Sequence, residues 1–376
     1  MNNLQERRRA RILHLPIAQA RGAGARKTRF ESLGVYLPKK ILTTSELLAR
    51  LNRPGDRDLE KITGIRERRV AEGESASDIA LSAAQNALKD SRYRPEDIEI
   101  IVSTGFPGYE NGNKHSGEPC LSARIMNDLN ARNAMHFDVA NAGAGMFSAI
   151  AIVDSMIKSG EVRVGLVASG DTPSRLSWLS RRNKSGEFVD DLLDLTFGDA
   201  GAALILDGGA HRDQGLHYLS IFTGAKAFNA GMMRMPSHTA LEEIISNSVT
   251  HHCRSYDLTW PVFKEALDRT EWSLADVDVF IPYQASRHLI RKGKQVIERG
   301  FNEKLDRIFV ENVERYGHTA SASSFIALHE SILSGRIDQG SRIVFDLSAP
   351  GYIMGMATYT MDDLPVRYRG RYAVGY

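Results

Sequence analysis

The fold of this chain is decided by AGAGMFSAIAIVDSMIKSGEVRV at residues 142–164, because TASASSFIALHESILSGRIDQGSRI at residues 319–343 repeats its pattern. In both copies, very small residues lead into an apolar helix. A Ser-Gly pair then ends the helix, because glycine readily adopts the left-handed backbone conformation that terminates helices, and a strand follows. The strands, at residues 162–170 and 342–349, are apolar enough to be covered on both faces. The pattern therefore predicts two related helix–strand units whose central helices approach closely.

A second pair of stretches repeats in the same order. ALKDSRYRPEDIEIIV at residues 87–102 aligns without a gap with ALDRTEWSLADVDVFI at residues 266–281. Each reads as a helix end, a turn with an aromatic residue, an aspartate and an alternating strand. Two generic α/β segments with a shared texture are the alternative. The matched order favours a duplicated α/β unit, with halves at residues 30–208 and 209–376 after a leader at residues 1–29.

Charge is unevenly distributed along the 376 residues. The whole chain carries 48 Lys+Arg and 46 Asp+Glu, a net charge of +2. Residues 1–29 hold eight basic side chains and one acidic side chain, so the remaining chain is mildly acidic. This division argues against a broad basic face for nucleic acid. The leader is interpreted as a disordered arm, a targeting segment or an arm folded on a dimer, and it is a candidate contact for an acidic carrier protein.

Neither a membrane span nor a metal centre is predicted. The longest apolar stretch, residues 142–153, is shorter than the roughly 20 residues that cross a bilayer. His251, His252 and Cys253 are adjacent on a predicted helix and point in different directions, so they do not form a ligand set. Two cysteines and the absence of a secretory signal indicate a reducing, cytoplasmic setting. No cofactor is expected.

Five motifs together resemble those of one family. They are ITGIRERRVA at residues 62–71, FDVANAGAGMFSAI at 137–150, FGDAGAALIL at 197–206, PYQAS at 282–286 and VERYGHTASAS at 313–323. In this order they resemble the β-ketoacyl-ACP synthase III branch of the thiolase fold. The resemblance implies a duplicated α/β fold in five layers (α-β-α-β-α). It also implies a homodimer, or a heterodimer with a related synthase, and transfer of an acyl group from CoA or acyl carrier protein.

The resemblance also implies a cysteine, a histidine and an asparagine as the catalytic residues. The motifs put these three roles at Gly143, Tyr283 and His318, and none of the three residues matches. In the family the cysteine takes the acyl group at the start of a buried helix, where the helix dipole favours its thiolate. This chain is therefore predicted to keep the surroundings of an acyl-binding site but to lack its nucleophile. Tyr283 and His318 become the candidate orienting hydroxyl and general base.

The oxyanion and donor sides of the site depart from the family as well. Three consecutive glycines are replaced by Ala349, Pro350 and Gly351, and proline has no N–H to donate. Ser286 stands where the family has an asparagine. The candidate substrate-binding residues are thus Ser286, Gly351 and Arg175, the last as a phosphate contact. The Trp and Arg that clamp the adenine of CoA correspond to Asp58 and Ile62, which favours a protein-bound donor.

Two functions from different classes remain open. The first is an acyltransferase or condensing enzyme of lipid or specialised-metabolite biosynthesis, which uses His318 and Tyr283 on a nucleophile supplied by the acceptor. The second is a non-catalytic pseudo-synthase that pairs with an active homologue, as the missing nucleophile and Pro350 suggest. Cys120, at a predicted helix start, is interpreted as a structural thiol, with a replacement nucleophile as its alternative. The sequence favours the enzyme.

Overall fold

The computed structural model describes residues 27–51, 59–105, 109–110, 114–115, 120–175, 194–211, 213–223, 248–349 and 353–372. The strands of this part of the chain are β1 (Arg29–Tyr36), β2 (Lys40–Thr43), β3 (Glu67–Val70), β4 (Ile100–Thr104), β5 (Tyr109–Glu110), β6 (Lys114–His115), β7 (Met135–Asp138), β8 (Val164–Asp171), β9 (Ala200–Asp207), β10 (Gly215–Leu219), β11 (Phe222–Thr223), β12 (Val279–Ile281), β13 (Arg342–Ala349) and β14 (Ile353–Thr360). Its α-helices are α1 (Thr44–Arg50), α2 (Leu59–Thr63), α3 (Ala76–Lys89), α4 (Leu121–Leu129), α5 (Gly145–Ser159), α6 (Ser248–Thr270), α7 (Arg287–Phe301), α8 (Val313–Tyr316), α9 (Ser323–Leu333) and α10 (Leu364–Tyr372).

Two large sheets repeat one topology. The first has the strand order β1-β9-β8-β4-β7 and the second has the order β10-β14-β13-β12. In each sheet, the strand after the repeated central helix is parallel to a strand that comes before that helix: β8 is parallel to β4, and β13 is parallel to β12. The other neighbours in the shared four-strand order are antiparallel. The internal repeat read from the sequence therefore corresponds to two sheets of the same order, which confirms the predicted duplicated α/β fold.

The helices and sheets stack in five layers. Helices α3 and α4 cover the outer face of the first sheet, and α6 and α7 cover the outer face of the second. Helices α5 and α9 lie between the two sheets, where the rings of Phe147 and Phe325 are 5.2 Å apart. This α-β-α-β-α arrangement is the predicted thiolase-like architecture. Both central helices are mostly buried because sheets cover them from above and below.

The start of each central helix has the same local geometry. A 3₁₀ turn at Ala142–Ala144 precedes α5 and another at Ala320–Ala322 precedes α9. The first residue of each turn has a positive φ, 44° at Ala142 and 46° at Ala320. Left-handed conformations are costly for residues with a Cβ, and their repetition shows that surrounding structure imposes them. The turns bring the N-terminal ends of both helices to the same place between the sheets.

Several sequence predictions fall at the limits of the described structure. Residues 1–26 lie outside it, and Arg29, which the domain division assigned to the leader, begins β1 and pairs with Asp207. Asp58 and Gly351 also lie outside it. Residues 251–253 belong to α6, but their side chains are not described. No helix in the described part of the chain is long and apolar enough to span a membrane.

Helix α3 packs unusually close to the first sheet because glycines face it. A Cβ on Gly34 would lie 2.1 Å from the carbonyl oxygen of Ala83, and a Cβ on Gly170 would lie 2.0 Å from that of Ala76. We therefore expect Gly34→Ala to lower the free energy of unfolding by about 1–3 kcal/mol, since the helix backbone has to move outward. Chemical denaturation measures the change. Gln85→Ala, on the exposed face of α3, is the control and should be neutral. Equal stability of both variants would contradict this packing.

Candidate active site

The three residues at the predicted catalytic positions come together. Gly143 lies in the 3₁₀ turn before α5, Tyr283 follows β12, and His318 follows α8. The phenolic oxygen of Tyr283 is 2.7 Å from Nε2 of His318. A Cβ built on Gly143 would lie only 1.9 Å from the same phenolic oxygen. Residues 143, 283 and 318 thus share one site, assembled from both halves of the duplicated fold.

Tyr283 fills the space that a side chain at position 143 would need. Besides the clash with the phenolic oxygen, a Cβ on Gly143 would lie 2.5 Å from Cζ of Tyr283 and 2.9 Å from the carbonyl oxygen of Ser348. A Cβ atom essentially never lies within 3.0 Å of a heavy atom to which it is not bonded. A cysteine at position 143 is therefore incompatible with the present position of Tyr283, so Tyr283 in this position requires a glycine at 143.

The phenol of Tyr283 is held in its neutral form. Its side chain is buried, and its backbone N–H donates to Asp346 at 3.4 Å. Burial, together with the negative charges of Asp171 and Asp346, raises the pKa of Tyr283 far above its ordinary value of 10. A phenolate is therefore strongly disfavoured, and Tyr283 retains a proton that it can donate to an unprotonated Nε2 of His318. A neutral phenol is a poor nucleophile, but it can orient a polar group.

His318 is fixed by residues 195–198 and by a glycine. Its backbone N–H donates to the carbonyl of Thr196 at 2.8 Å, and its own carbonyl accepts from the N–H of Gly198 at 3.1 Å. The ring of Phe197 stacks on the imidazole at a centroid distance of 5.0 Å. Gly317 precedes it with φ = +66°, in a conformation that suits glycine. The imidazole is thus locked in place before any substrate binds.

A small pocket adjoins the ring of Tyr283. It offers about 30 Å³ to the centres of water-sized molecules, enough for roughly two waters. Asp346 and Ser348 line it from the face of β13 that points toward α7. Burial raises the pKa of Asp346 to about 7, so this carboxyl can gain or lose a proton near neutrality. Sequence reasoning missed Asp346, although a single acid in the apolar stretch RIVFDLSA was a usable signal.

The other predicted site residues have structural contacts. The hydroxyl of Ser286 caps α7 by accepting from the N–H of Leu289 at 3.4 Å. Arg175 is half-buried and donates to the carbonyl of Glu74 at 2.9 Å. Neither residue has a described contact with the Tyr283–His318 pair, so their substrate-binding roles stay predictions. The same holds for Gly351, which lies outside the described residues.

Cys120 lies in a different environment. It is the N-cap residue of α4, on the outer side of the first sheet. Its sulfur is 3.3 Å from the hydroxyl of Ser122 and 3.8 Å from Nδ1 of His136. Within the described part of the chain, no three His, Cys, Asp or Glu side chains are grouped as a metal site requires. Cys120 thus lies on the other side of the first sheet from the central helices α5 and α9.

A basic groove lies between α2 and α7. Its volume is about 500 Å³, and Ile62, 38% exposed, lies among its cationic side chains. These cationic side chains are Lys61, Arg287, Arg291 and Lys292, and His288 lies beside them. Arg287 also pairs with Glu311 and Glu314 nearby, so the positive charge of the groove is partly balanced. Helix α7 thus presents a basic surface at one end of the site and carries Ser286 at its start.

Comparisons with known proteins agree with this fold. Residues 137–226 match the family model described as 3-oxoacyl-[acyl-carrier-protein (ACP)] synthase III, and residues 267–361 match the model of its C-terminal part. The β-ketoacyl-[acyl-carrier-protein] synthase III of Aquifex aeolicus is 26% identical over 333 residues, which cover 87% of this chain and 97% of that protein.

Solved structures show the same fold. The 3-oxoacyl-(acyl carrier protein) synthase III of Pseudomonas aeruginosa superposes with a TM-score of 0.75 at 22% identity, covering 90% of this chain and 99% of the other. The priming β-ketosynthase of the R1128 polyketide pathway superposes with a TM-score of 0.77 at 21% identity, covering 91% and 98%. Fold and relatives define an enzyme of the acyltransferase class that acts on acyl thioesters.

Two models of the 3-oxoacyl-[acyl-carrier-protein] synthase III family thus match parts of the chain, and curated relatives with this activity are 26–29% identical to it. The predicted likeness to this family and the predicted enzyme class are thereby confirmed. The activities of the relatives are theirs, and how this chain's own site works has to be derived from its residues. Its glycine at position 143 and its tyrosine at position 283 are what a mechanism has to explain.

The mutual dependence of Gly143 and Tyr283 can be measured. We expect Gly143→Ala alone to lower the free energy of unfolding by about 1–3 kcal/mol, because its methyl group meets the phenol. In a Tyr283→Leu background the same substitution should cost much less, since the obstructing oxygen is gone. A double-mutant cycle by chemical denaturation gives the coupling energy, expected at about 0.5–3 kcal/mol. Additive effects would contradict the assigned contact.

Proposed function

We propose that the protein transfers an acyl group from a carrier-bound thioester directly to the O–H or N–H of an acceptor, without an acyl-enzyme at position 143. The observation that carries this proposal is the 1.9 Å separation between the phenolic oxygen of Tyr283 and a Cβ on Gly143. A polar hydroxyl linked to an imidazole takes the place where the family has its nucleophile. Such a pair suits the activation of an external nucleophile.

The proposed reaction balances without a further reactant. The acceptor O–H or N–H donates to the oxygen of Tyr283 while the phenolic proton moves to Nε2 of His318. The acceptor's lone pair forms a bond to the thioester carbonyl carbon, and the C–S bond breaks. The imidazolium then returns its proton through Tyr283 to the departing sulfur. The products are an ester or amide and a free carrier thiol, and the reaction needs no metal or redox cofactor.

The acidity of Tyr283 supports a relay role over a nucleophilic role. Its pKa is raised far above 10, so a free phenolate is too costly to accumulate. If the proton moves from the phenol to His318 in the same step as the attack, no free phenolate has to form. The hydrogen bond of 2.7 Å between the two side chains is short enough for this transfer. His318 is therefore proposed as the base and Tyr283 as the group that contacts the acceptor.

The start of α5 supports stabilisation of the oxyanion. Gly143 lies in the turn that leads into this helix, where backbone N–H groups and the helix dipole favour negative charge. A thioester whose carbonyl oxygen faces this end gains stabilisation as charge develops on that oxygen. Residues 350–352, which include Pro350 and Gly351 of the predicted oxyanion turn, lie outside the described structure. The backbone at position 143 is therefore the part of this residue that we propose to serve the reaction, since glycine has no side chain.

Two further features support particular partners. The basic groove between α2 and α7 suits an acidic carrier protein or the phosphate of its prosthetic arm. The edge strand β7 exposes Met135 and Phe137, which are 54% and 37% accessible. An apolar edge strand of this kind favours pairing with a second copy or with a related synthase. The acyl carrier protein and the dimer are therefore parts of this proposal. The cytoplasmic location predicted from the cysteine content is also part of it.

A non-catalytic partner subunit is the second candidate function. The same filled site motivates it, because Tyr283 leaves only about 30 Å³ in the adjoining pocket. A protein that only shapes the pocket of an active homologue needs neither a base nor a nucleophile. Co-purification with a related subunit that carries the cysteine, without thiol release by this chain alone, would favour it. Turnover by the homodimer would exclude it.

The base assignment is tested by thiol release. The purified protein is incubated with panels of acyl-carrier and acyl-CoA donors together with amine and alcohol acceptors, and the free thiol is measured. We expect His318→Ala to lower the rate by about 10²–10⁴-fold, because the proton acceptor is lost. Tyr283→Phe should also be slow, since the relay hydroxyl is missing. His211→Ala, at an exposed position, is the control. An unchanged rate in His318→Ala would exclude this mechanism.

A further inference from the structure

We propose that Arg68 is a positioning residue for His318, and that it acts through residues 195–198. This inference rests on the proposed function, because it concerns the placement of the base named there. Arg68 itself touches neither the phenol of Tyr283 nor the imidazole among the described contacts. Its influence passes through the backbone segment to which His318 is bound on both sides.

Arg68 is a buried cation held by neutral groups. Its side chain is only 1% exposed, and burial lowers the pKa of its guanidinium to about 10, so it stays charged at neutral pH. One terminal nitrogen donates to the carbonyl of Leu195, and the other donates to the hydroxyl of Thr44 at 2.6 Å. The Thr44 hydroxyl in turn donates a hydrogen bond to the carbonyl of Ile65. Among the residues that the structure describes, no carboxylate forms an ion pair with Arg68.

The segment that Arg68 holds is the one that holds His318. Leu195, which accepts from the guanidinium, is directly followed by Thr196, whose carbonyl accepts from the backbone N–H of His318. The next residue, Phe197, stacks on the imidazole ring. A shift of this segment therefore moves both a backbone partner and the ring partner of His318.

The stem of Arg68 also packs beneath the two glycines beside this contact. A Cβ on Gly198 would lie 3.1 Å from Cβ of Arg68, and a Cβ on Gly317 would lie 3.4 Å from it. Gly198 donates to His318, and Gly317 directly precedes it. The side chain of Arg68 thus supports the turn of His318 from below, while its guanidinium holds the neighbouring segment at residues 195–198.

Fold stability alone gives little reason for a guanidinium here. A buried charge without a carboxylate partner is expensive, and apolar residues of similar volume are often neutral or stabilising at such positions. Methionine can fill much of the same volume, but it donates no hydrogen bond to Leu195. The guanidinium therefore contributes what an apolar residue cannot, a fixed position for the carbonyl of residue 195 and for the segment that follows.

The test compares Arg68→Met with a matched neighbour in the full-length protein. Arg69→Met is the control, because Arg69 is on the same strand and, among the residues that the structure describes, its guanidinium donates to the carbonyls of Pro38 and Lys39 and not to residues 195–198. Thiol release gives kcat and KM, thermal unfolding gives Tm, and NMR of isotope-labelled histidine reports the His318 ring signal, assigned by its loss in His318→Ala. We expect Arg68→Met to lower kcat at least about tenfold with KM within about twofold, while Tm stays close to that of the parent.

The His318 ring signal should move in Arg68→Met and stay in place in Arg69→Met. An unchanged ring signal, or an unchanged kcat while His318→Ala is inactive, would overturn the positioning role. If His318→Ala leaves thiol release unchanged, the proposed function fails. The NMR signal of the His318 ring alone then tests whether Arg68 positions His318. If Arg68→Met does not fold, Arg68→Lys replaces it. A lysine reaches only one of the two acceptors, so the ring signal should still move, and an unchanged signal would again overturn the proposal.

Discussion

The close packing of two central helices between two sheets is the constraint on which the rest of this structure depends. Helices α5 and α9 are covered by sheet on both sides, and they contact each other through Phe147 and Phe325. Their N-terminal turns therefore converge, each with a left-handed alanine at its first position. Gly143 lies in one turn and His318 lies just before the other, so the site forms where the two halves of the duplication meet.

At this junction, the space available to side chains determines which reactive groups the site can hold. Tyr283 and a side chain at position 143 compete for one space, and the tyrosine occupies it. The exchange removes a residue that could carry an acyl group and brings in a hydroxyl hydrogen-bonded to an imidazole. Because burial, together with the negative charges of Asp171 and Asp346, raises the pKa of the phenol and keeps it protonated, the proposed mechanism uses it as a proton relay and not as an anion. The proposed acyl transfer to an external nucleophile rests on this arrangement.

Internal repeats were sufficient to predict the duplicated fold, since each repeat contains a helix, its terminating Ser-Gly and the following strand. The predicted strand at residues 342–349 coincides with β13, and Cys120 does precede a helix. The meeting of positions 143, 283 and 318 followed from the resemblance to the family. That Tyr283 excludes a side chain at Gly143 could not be read from the sequence, because it depends on a distance between residues 140 positions apart. The contacts of Arg68 were missed for the same reason.

The central claim is that the acyl group passes to the acceptor without a covalent intermediate on the protein. Intact-protein mass spectrometry tests it most directly, with an acyl-carrier donor added first without and then with an acceptor. The account predicts that the protein keeps its unmodified mass throughout, while the acceptor gains the acyl group and the carrier thiol is released. An acyl adduct on the protein that forms before the acceptor is added and disappears afterwards, at Cys120 or any other residue, would contradict it.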